Sequence, residues 1–513
     1  MLRRNFLSGS FALAMAAARQ GLAWPNQVPK SILEYGARPD GKTLNTNAIQ
    51  RAVDDAYQAG GGTVHVPSGT FLTGRIDLKS HVTLYLDEGC TLRGSTSLND
   101  YDAGDAAGEG RQRHLIFAHD ADGVTLAGPG RIDGQGKNFW EPSGKTPIPA
   151  DEQWADFSSR VLSPKKSGRP SPMLYFVNCR QLRIEDVRIE NSPGWTLHTL
   201  NCDDVNIKGI AIKNPVVGPN TDGIDMTGCQ NVLVSNCSVD TGDDAICLKS
   251  ENPYGPEPRL TKNVVVTNCH LTTCCNGFKL GTSSEGGFEN ITFSNSSIYN
   301  DEVELKARVI SGIALEVVDG GWIDGVIVTG IQMQRTRTPI FIRLGNRKRV
   351  HDFPKQGIRG VSIDNVQASE AVLASSITGL SGMEVQEVTL SNVHVDSVLP
   401  SRPEWVGRTV PEKEAAYPEA KMFGMLPASG LYVRHARDLR LNNIEFTAPA
   451  GEGRPTIIFD DVIGARVTGL KSAPVSGGMP VVQVIHSEDV HLSEVSPSTS
   501  TLPENPSAST TAQ

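Results

Sequence analysis

Two short stretches hold acid groups at a spacing that invites chemistry. "GPNTDGIDM" sets Asp222 two residues before the apolar pair Ile224 and Met226, and "DTGDDAICL" sets Asp243–Asp244 before Ile246 and Leu248. Asp222 and Asp244 are 22 residues apart, as if one structural position were used twice. Carboxylates brought close together repel, so at least one pKa rises unless a cation offsets it. A protonated acid held beside an ionised base is the equipment of general acid–base catalysis. A lone Asp at a turn is ordinary punctuation, so the case rests on whether the fold stacks these positions.

The elements that would stack them are legible as a repeat. The pattern apolar–x–apolar–x–(Gly/Asn/Asp)–apolar begins at Val124, Leu182, Val205, Val232, Val264, Ile291, Val326, Val361, Val388, Leu439 and Val490. From Leu182 to Val388 its steps are 23, 27, 32, 27, 35, 35 and 27 residues. Strict alternation marks strands, and the embedded Gly, Asn or Asp suits a corner with left-handed backbone angles. Strands at this period with almost no helix between them predict an all-β parallel β-helix, each coil stacked on the last. One helix is expected, in "NTNAIQRAVDDAYQAGGG", with an Asn or Thr cap and a Gly stop; it would cover the open end of the stack.

Stacked rungs lie ~4.8 Å apart, and aligning them by inward apolar residues gives columns. Asp222, Asp244 and Asn276 share one; Thr221, Asp243 and Cys275 share the next. An outward column holds Asp225, Cys247, Lys279, Ala314 and Arg343, and another holds Lys249 and Glu316. Three carboxylates therefore meet on two rungs, with an amide above and cations beside them. Paired carboxylates of split pKa are what glycoside hydrolysis requires. Asp243 and Asp244 would point to opposite faces of a regular strand, so a bend is expected at Gly242.

At these residues the chain resembles the polygalacturonase-like glycoside hydrolases of family 28. The resemblance runs from "LEYGARPDGKTLNTNAIQRAVD" through "ENSPGWTLHTLNCDDVNIKGIAI", and "GPNTDGID" and "DTGDDAICLKS" are its most specific parts. It implies a right-handed, single-stranded parallel β-helix of the pectin-lyase-like type. It also implies inverting hydrolysis of pectic polysaccharide, of galacturonate or rhamnogalacturonan type, without cofactor or metal. Asp243 matches the general acid, and Asp222 and Asp244 the pair that positions and deprotonates water; Asn220 belongs to the same motif.

The chain departs from the family at two motifs. Where the family has Gly-His-Gly, this sequence has Cys275–Asn276–Gly277, and Asn276 can hydrogen-bond but cannot titrate. The family's Arg-Ile-Lys, which grips a uronate carboxylate, aligns with Ala314–Leu315–Glu316. Either anion recognition has moved to Lys279 and Arg343, with Lys249 neutralising Glu316 and Arg347 a further candidate, or Lys279 and Arg343 only make surface pairs with Glu316 and other acids. Trp195, His198 and Trp140 are either sugar platforms or core. Insertions 135–168 and 398–430 are candidates to wall one end of the cleft. Two rival readings stand beside hydrolysis: a polysaccharide lyase with a Ca²⁺ site, and a non-catalytic carbohydrate-binding solenoid.

The termini and composition bound the setting. Residues 1–23, with Arg3–Arg4 ahead of a small-residue apolar run, read as a twin-arginine export signal. A periplasmic or secreted β-helix domain over 24–495 is expected, followed by a disordered Ser/Thr/Pro-rich tail over 496–513. The formal charge of −9 would become −12 on removal of the leader, which gives no bulk attraction for nucleic acid. A monomer acting on acidic plant cell-wall polysaccharide or oligosaccharide is expected, with no membrane insertion once the signal is gone. The nine cysteines, from Cys90 to Cys275, lack zinc spacing. Cys179, Cys202, Cys237 and Cys269 read as packed thiols inside strands.

Overall fold

In each repeat the two alternating apolar residues point inward, and the residue after the fourth position turns the corner. All eleven of these corner residues, from Gly128 and Asp186 through Asn236, Asn295 and Asn443 to Glu494, have positive φ between 48° and 106°. Side-chain amides also stack along a corner: Asn263 Nδ2 donates to Asn231 Oδ1 at 2.9 Å, and Asn290 Nδ2 to Asn263 Oδ1 at 2.9 Å. The choice of Asn thus serves two ends, since it tolerates the left-handed region and satisfies its neighbour's amide.

The computed structural model describes residues 29–101, 113–144, 161–300, 309–348 and 357–497. The export segment 1–23 and the tail from 498 onward lie outside the described residues. The main sheet is parallel throughout, and each strand pairs with its equivalent one rung on. The repeat anchors meet one to one: Val205 pairs with Val232, then Val264, Ile291, Val326, Val361 and Val388 in turn. One rung escaped the pattern, because Val490 pairs with Ala465 and only through it with Leu439. The chain is a right-handed parallel β-helix. The interior is a continuous column of Val, Ile, Leu and Phe, with Phe278 stacked on Phe293 at 4.5 Å.

Helix α1 (Thr46–Gln58) covers the N-terminal end, with Ile49, Ala52 and Val53 fully buried. It packs against strands Gly62–Val66, Ile76–Asp77 and Val82–Leu86. Asn45 stands at its N-cap but does not cap it; its side chain instead exchanges hydrogen bonds with the Arg38 backbone. All nine cysteines are buried free thiols. Among the described residues no helix is long and apolar enough to cross a membrane.

One face of the coil carries the chemistry. Its strands in chain order are β1 (Ile116–His119), β2 (Leu174–Val177), β3 (Leu197–Leu200), β4 (Ile224–Thr227), β5 (Ile246–Ser250), β6 (Asn276–Ser284), β7 (Val309–Val317), β8 (Thr336–Leu344), β9 (Ser375–Thr378), β10 (Leu431–Thr447) and β11 (Ile457–Ser472).

Candidate active site

The three aspartates stand just ahead of β4 and β5, where the chain turns into this face. Ile224 pairs with Ile246 and then Phe278, so the rungs carrying Asp222, Asp244 and Asn276 are successive. Ladder hydrogen bonds continue back into the turns: Gly223 N donates to Asp244 O at 2.9 Å and Ala245 N to Asn276 O at 2.9 Å. Asp222 therefore sits one rung below Asp244, as the alignment of inward residues required.

Gly242 and Asp243 form the expected bend. The Thr221 hydroxyl accepts from Gly242 N at 3.1 Å and donates to Gly218 O at 3.0 Å, tying the bend to the rung below. The Asp243 carbonyl accepts from the Thr241 and Thr273 hydroxyls at 2.6 and 2.5 Å. Asp243 Oδ1 accepts from Asp244 N at 2.9 Å. The two adjacent aspartates are turned into one region: a carboxylate oxygen of each, with Cys275 Sγ, lies within a 4.8 Å cluster.

Asp244 is the most supported of the three. Its Oδ1 accepts from Asn276 Nδ2 at 2.7 Å and from Asn276 N at 3.2 Å, and its Oδ2 from Lys279 Nζ at 3.0 Å. Burial pushes its carboxyl up, but Lys279 and Lys249 outweigh burial and hold it below the usual carboxylate range. Asp222 moves the other way. Burial, then the charges of Asp243, Asp225 and Asp244, raise its carboxyl well above the ordinary value. Its Oδ1 has no hydrogen-bond partner. The groove thus separates a carboxyl that keeps its proton from one that loses it.

Two buried lysines balance the acids. Lys249 Nζ lies 2.5 Å from Asp225 Oδ1 and 4.4 Å from the Trp195 ring centre. Lys279 reaches Asp244 and, at 3.8 Å, Glu316. Burial lowers both lysines, yet the facing carboxylates raise them well above the ordinary value, so both stay charged. Glu316 is fully buried, and neither oxygen has a hydrogen bond. Burial pushes it up to about 8 against the pull of Lys279.

Arg343 is placed differently from the sequence alignment. Ile313 pairs with Ile340 and Leu315 with Ile342, so Arg343 stands opposite Glu316 and Phe341 takes the position above Ala314. The slip is two residues: alternation repeats every two, and "PIFIRL" offers two equally apolar registers. Arg343 directs its guanidinium to the carbonyls of Gly379, Glu412 and Lys413. Arg347 forms a fork on Asp319 at 2.8 and 2.6 Å. Asn220 is exposed at φ 49° and accepts from Arg169 at 3.2 Å.

Along the groove below Asp225, His198 stacks on Tyr175 at 5.1 Å and meets Trp195 edge-on at 5.1 Å. Trp140 Nε1 donates to Pro193 O at 2.8 Å. From the far insertion, Tyr417 approaches Lys279 at 5.7 Å, and Glu419 is felt electrostatically by Cys275 and Glu316. Neither residue could be placed from periodicity, because both sit on a loop that follows none.

Asp243, Asp244 and Cys275 are the one described group with the closeness of a metal site. It suits a divalent ion poorly. Lys279 already occupies Asp244, and burial raises the Cys275 thiol well above its ordinary value. A neutral thiol is no ligand for a hard cation.

A parallel β-helix with carboxylates of split protonation in one groove defines a class, the β-helical glycosidases. Comparison with known proteins gives the family: Glycosyl hydrolases family 28 matches residues 58–415, and the chain belongs to it. A "Probable polygalacturonase" of Vitis vinifera is 28% identical over 388 residues, 71% of this chain and 74% of that protein. An "Exo-poly-alpha-D-galacturonosidase" of Dickeya chrysanthemi is 28% identical, covering 60% of this chain and 56% of that one. The solved exopolygalacturonase of Thermotoga maritima matches with TM-score 0.56 and 25% identity, over 72% of this chain and 87% of the other. The protein is a glycosidase.

Proposed function

We propose that the enzyme hydrolyses glycosidic bonds of pectic polysaccharide, of galacturonate or rhamnogalacturonan type, with inversion at the anomeric carbon. The observation that carries this is the convergence of Asp222, Asp243 and Asp244, with Asp222 pushed toward its protonated form and Asp244 held ionised. The names of the relatives support the pectic substrate. In this reading Asp243, half-buried at the bend, protonates the leaving oxygen, Asp244 deprotonates the attacking water, and Asp222 orients that water. Lys279 and Asn276 hold Asp244 ionised until it takes the proton of the water.

The test is hydrolysis of galacturonan and rhamnogalacturonan oligosaccharides with the product anomer followed by NMR. Inverted product is expected first, and Asp243→Asn should lower kcat by roughly 10²–10⁴ while leaving binding in place. Retained configuration, an unsaturated product absorbing in the ultraviolet, or an undiminished Asp243→Asn enzyme would overturn the assignment.

A further inference from the structure

The face that carries the triad changes character two rungs past it. Along the outward column, Asp225, Cys247 and Lys279 are followed by Ala314, Phe341, Ser376, Tyr432 and Ile458. Outward side chains of a solenoid meet solvent unless something lies on them, yet Ala314 and Phe341 are fully buried. What covers them is the segment 410–428. Val410, Ala420, Met422, Phe423 and Leu426 form one apolar cluster with Ala314, Phe341, Tyr432 and Ile458. Its short turn Ala420–Phe423 rests on β7. Cys275 belongs to the same cluster, and its sulfur is in the 4.8 Å group with Asp243 and Asp244. The cover therefore begins beside the triad itself.

The segment is pinned as well as packed. Arg434 donates to Val410 O at 2.7 Å and pairs with Glu412. His435 Nε2 lies 3.0 Å from the Glu412 carboxylate. Arg343 holds Glu412 O at 2.8 Å and Lys413 O at 3.3 Å, and Asn346 N donates to Glu414 O at 2.9 Å. The ring of Tyr417, 53% exposed, stands at the lip above Lys279.

We infer that residues 410–428 end the substrate groove two rungs, ~10 Å, beyond the triad, so that the enzyme removes units from chain ends rather than cutting internal bonds. A groove open at both ends admits a polysaccharide anywhere along its length. One closed two rungs past the reacting bond leaves room on that side for about two sugar rings, with Tyr417 at its edge. The bond broken is the glycosidic bond to that terminal portion. Water supplies hydroxyl to the anomeric carbon, and the leaving oxygen takes a proton from the acid. This inference rests on the pectic hydrolase reading for its substrate and on the covered face for its geometry.

Sizing the early products from galacturonan and from rhamnogalacturonan, with viscosity followed in parallel, tests it. Expected are the smallest products alone and a viscosity that barely falls while reducing ends accumulate. A ladder of mixed oligomers with an early collapse of viscosity overturns the inference and leaves the hydrolase reading intact. Ala420→Asp, which puts a charge into the apolar contact outside the main coil, should raise the share of longer products about tenfold. Should neither polymer be cut, the hydrolase reading fails separately, and backbone hydrogen exchange judges the wall. Slow exchange at Met422 and Gly424 upholds it, and exchange as fast as an open loop overturns it.

Discussion

At the scale of single residues, the unusual group is Glu316. It is a fully buried acid with both oxygens lacking hydrogen bonds, 3.8 Å from a lysine that is closer to another carboxylate. With its carboxyl at about 8 in the folded protein against 4.5 as an ordinary Glu, the unfolded chain loses this proton first. Stability from this group is whole below about pH 4.5 and is lost as pH rises through about 8, amounting to a few kcal/mol at most. Glu316→Gln keeps the shape and removes the titration. Denaturant unfolding across pH 4–9 should give a flatter profile for the variant and, at pH 8, a gain of roughly 1–3 kcal/mol; an unchanged slope would show that the carboxyl is not held neutral. The site's acids were legible in the sequence because they sit next to alternating apolar residues that fix their register. The ion pair of Lys249 with Asp225 was not: it depends on side-chain direction across two rungs, where the one-dimensional pattern gives position alone.

At the scale of elements, the bend before β5 decides whether adjacent aspartates can work together. A Cβ on Gly242 would stand 2.7 Å from Gly218 O and 2.8 Å from both Pro215 O and Thr221 Oγ1. Two of those three are backbone carbonyls, which cannot swing aside. Gly242→Ala should therefore shift the bend, and misplacement of about 1 Å costs on the order of 10²-fold in rate, while overpacking at one turn costs roughly 1–3 kcal/mol of stability. Kinetics and denaturant unfolding on the same variant separate the two; full activity would mean the bend is not what turns Asp243. The coil was readable because its corners require left-handed backbone, and eleven Gly, Asn, Asp or Glu residues at one offset announce that requirement. Arg343 was misplaced because nothing in "FIRL" distinguishes two registers that differ by a full period. The wall over β7 and β8 was foreseen only as an insertion. Its anchors, Val410, Met422 and Phe423, are spaced by contact with the sheet and not by any period of their own.

At the scale of the whole molecule, a stack of coils depends on its ends. Interior rungs are covered on both sides, so each apolar residue there has neighbours above and below; an end rung has only one. Helix α1 closes the N-terminal end completely, with Ile49 and Val53 at 0% exposure, whereas near the C-terminal end Val490 retains 7% and Leu492 is only partly buried. The two ends should therefore respond unequally to the same kind of loss. Ile49→Ala opens a cavity between the helix and the first rungs and should lower the unfolding free energy by roughly 2–5 kcal/mol. Val490→Ala removes less from a site that can relax toward solvent, and about 1 kcal/mol is expected. Because contacts pass only between neighbouring rungs, the triad lies many rungs from α1, and kcat of the folded Ile49→Ala enzyme should be unchanged. Thermal melts with activity measured below the transition check both halves of this. Equal destabilisation at the two ends would deny the helix its capping role, and a loss of kcat in the folded variant would mean that strain travels the length of the stack.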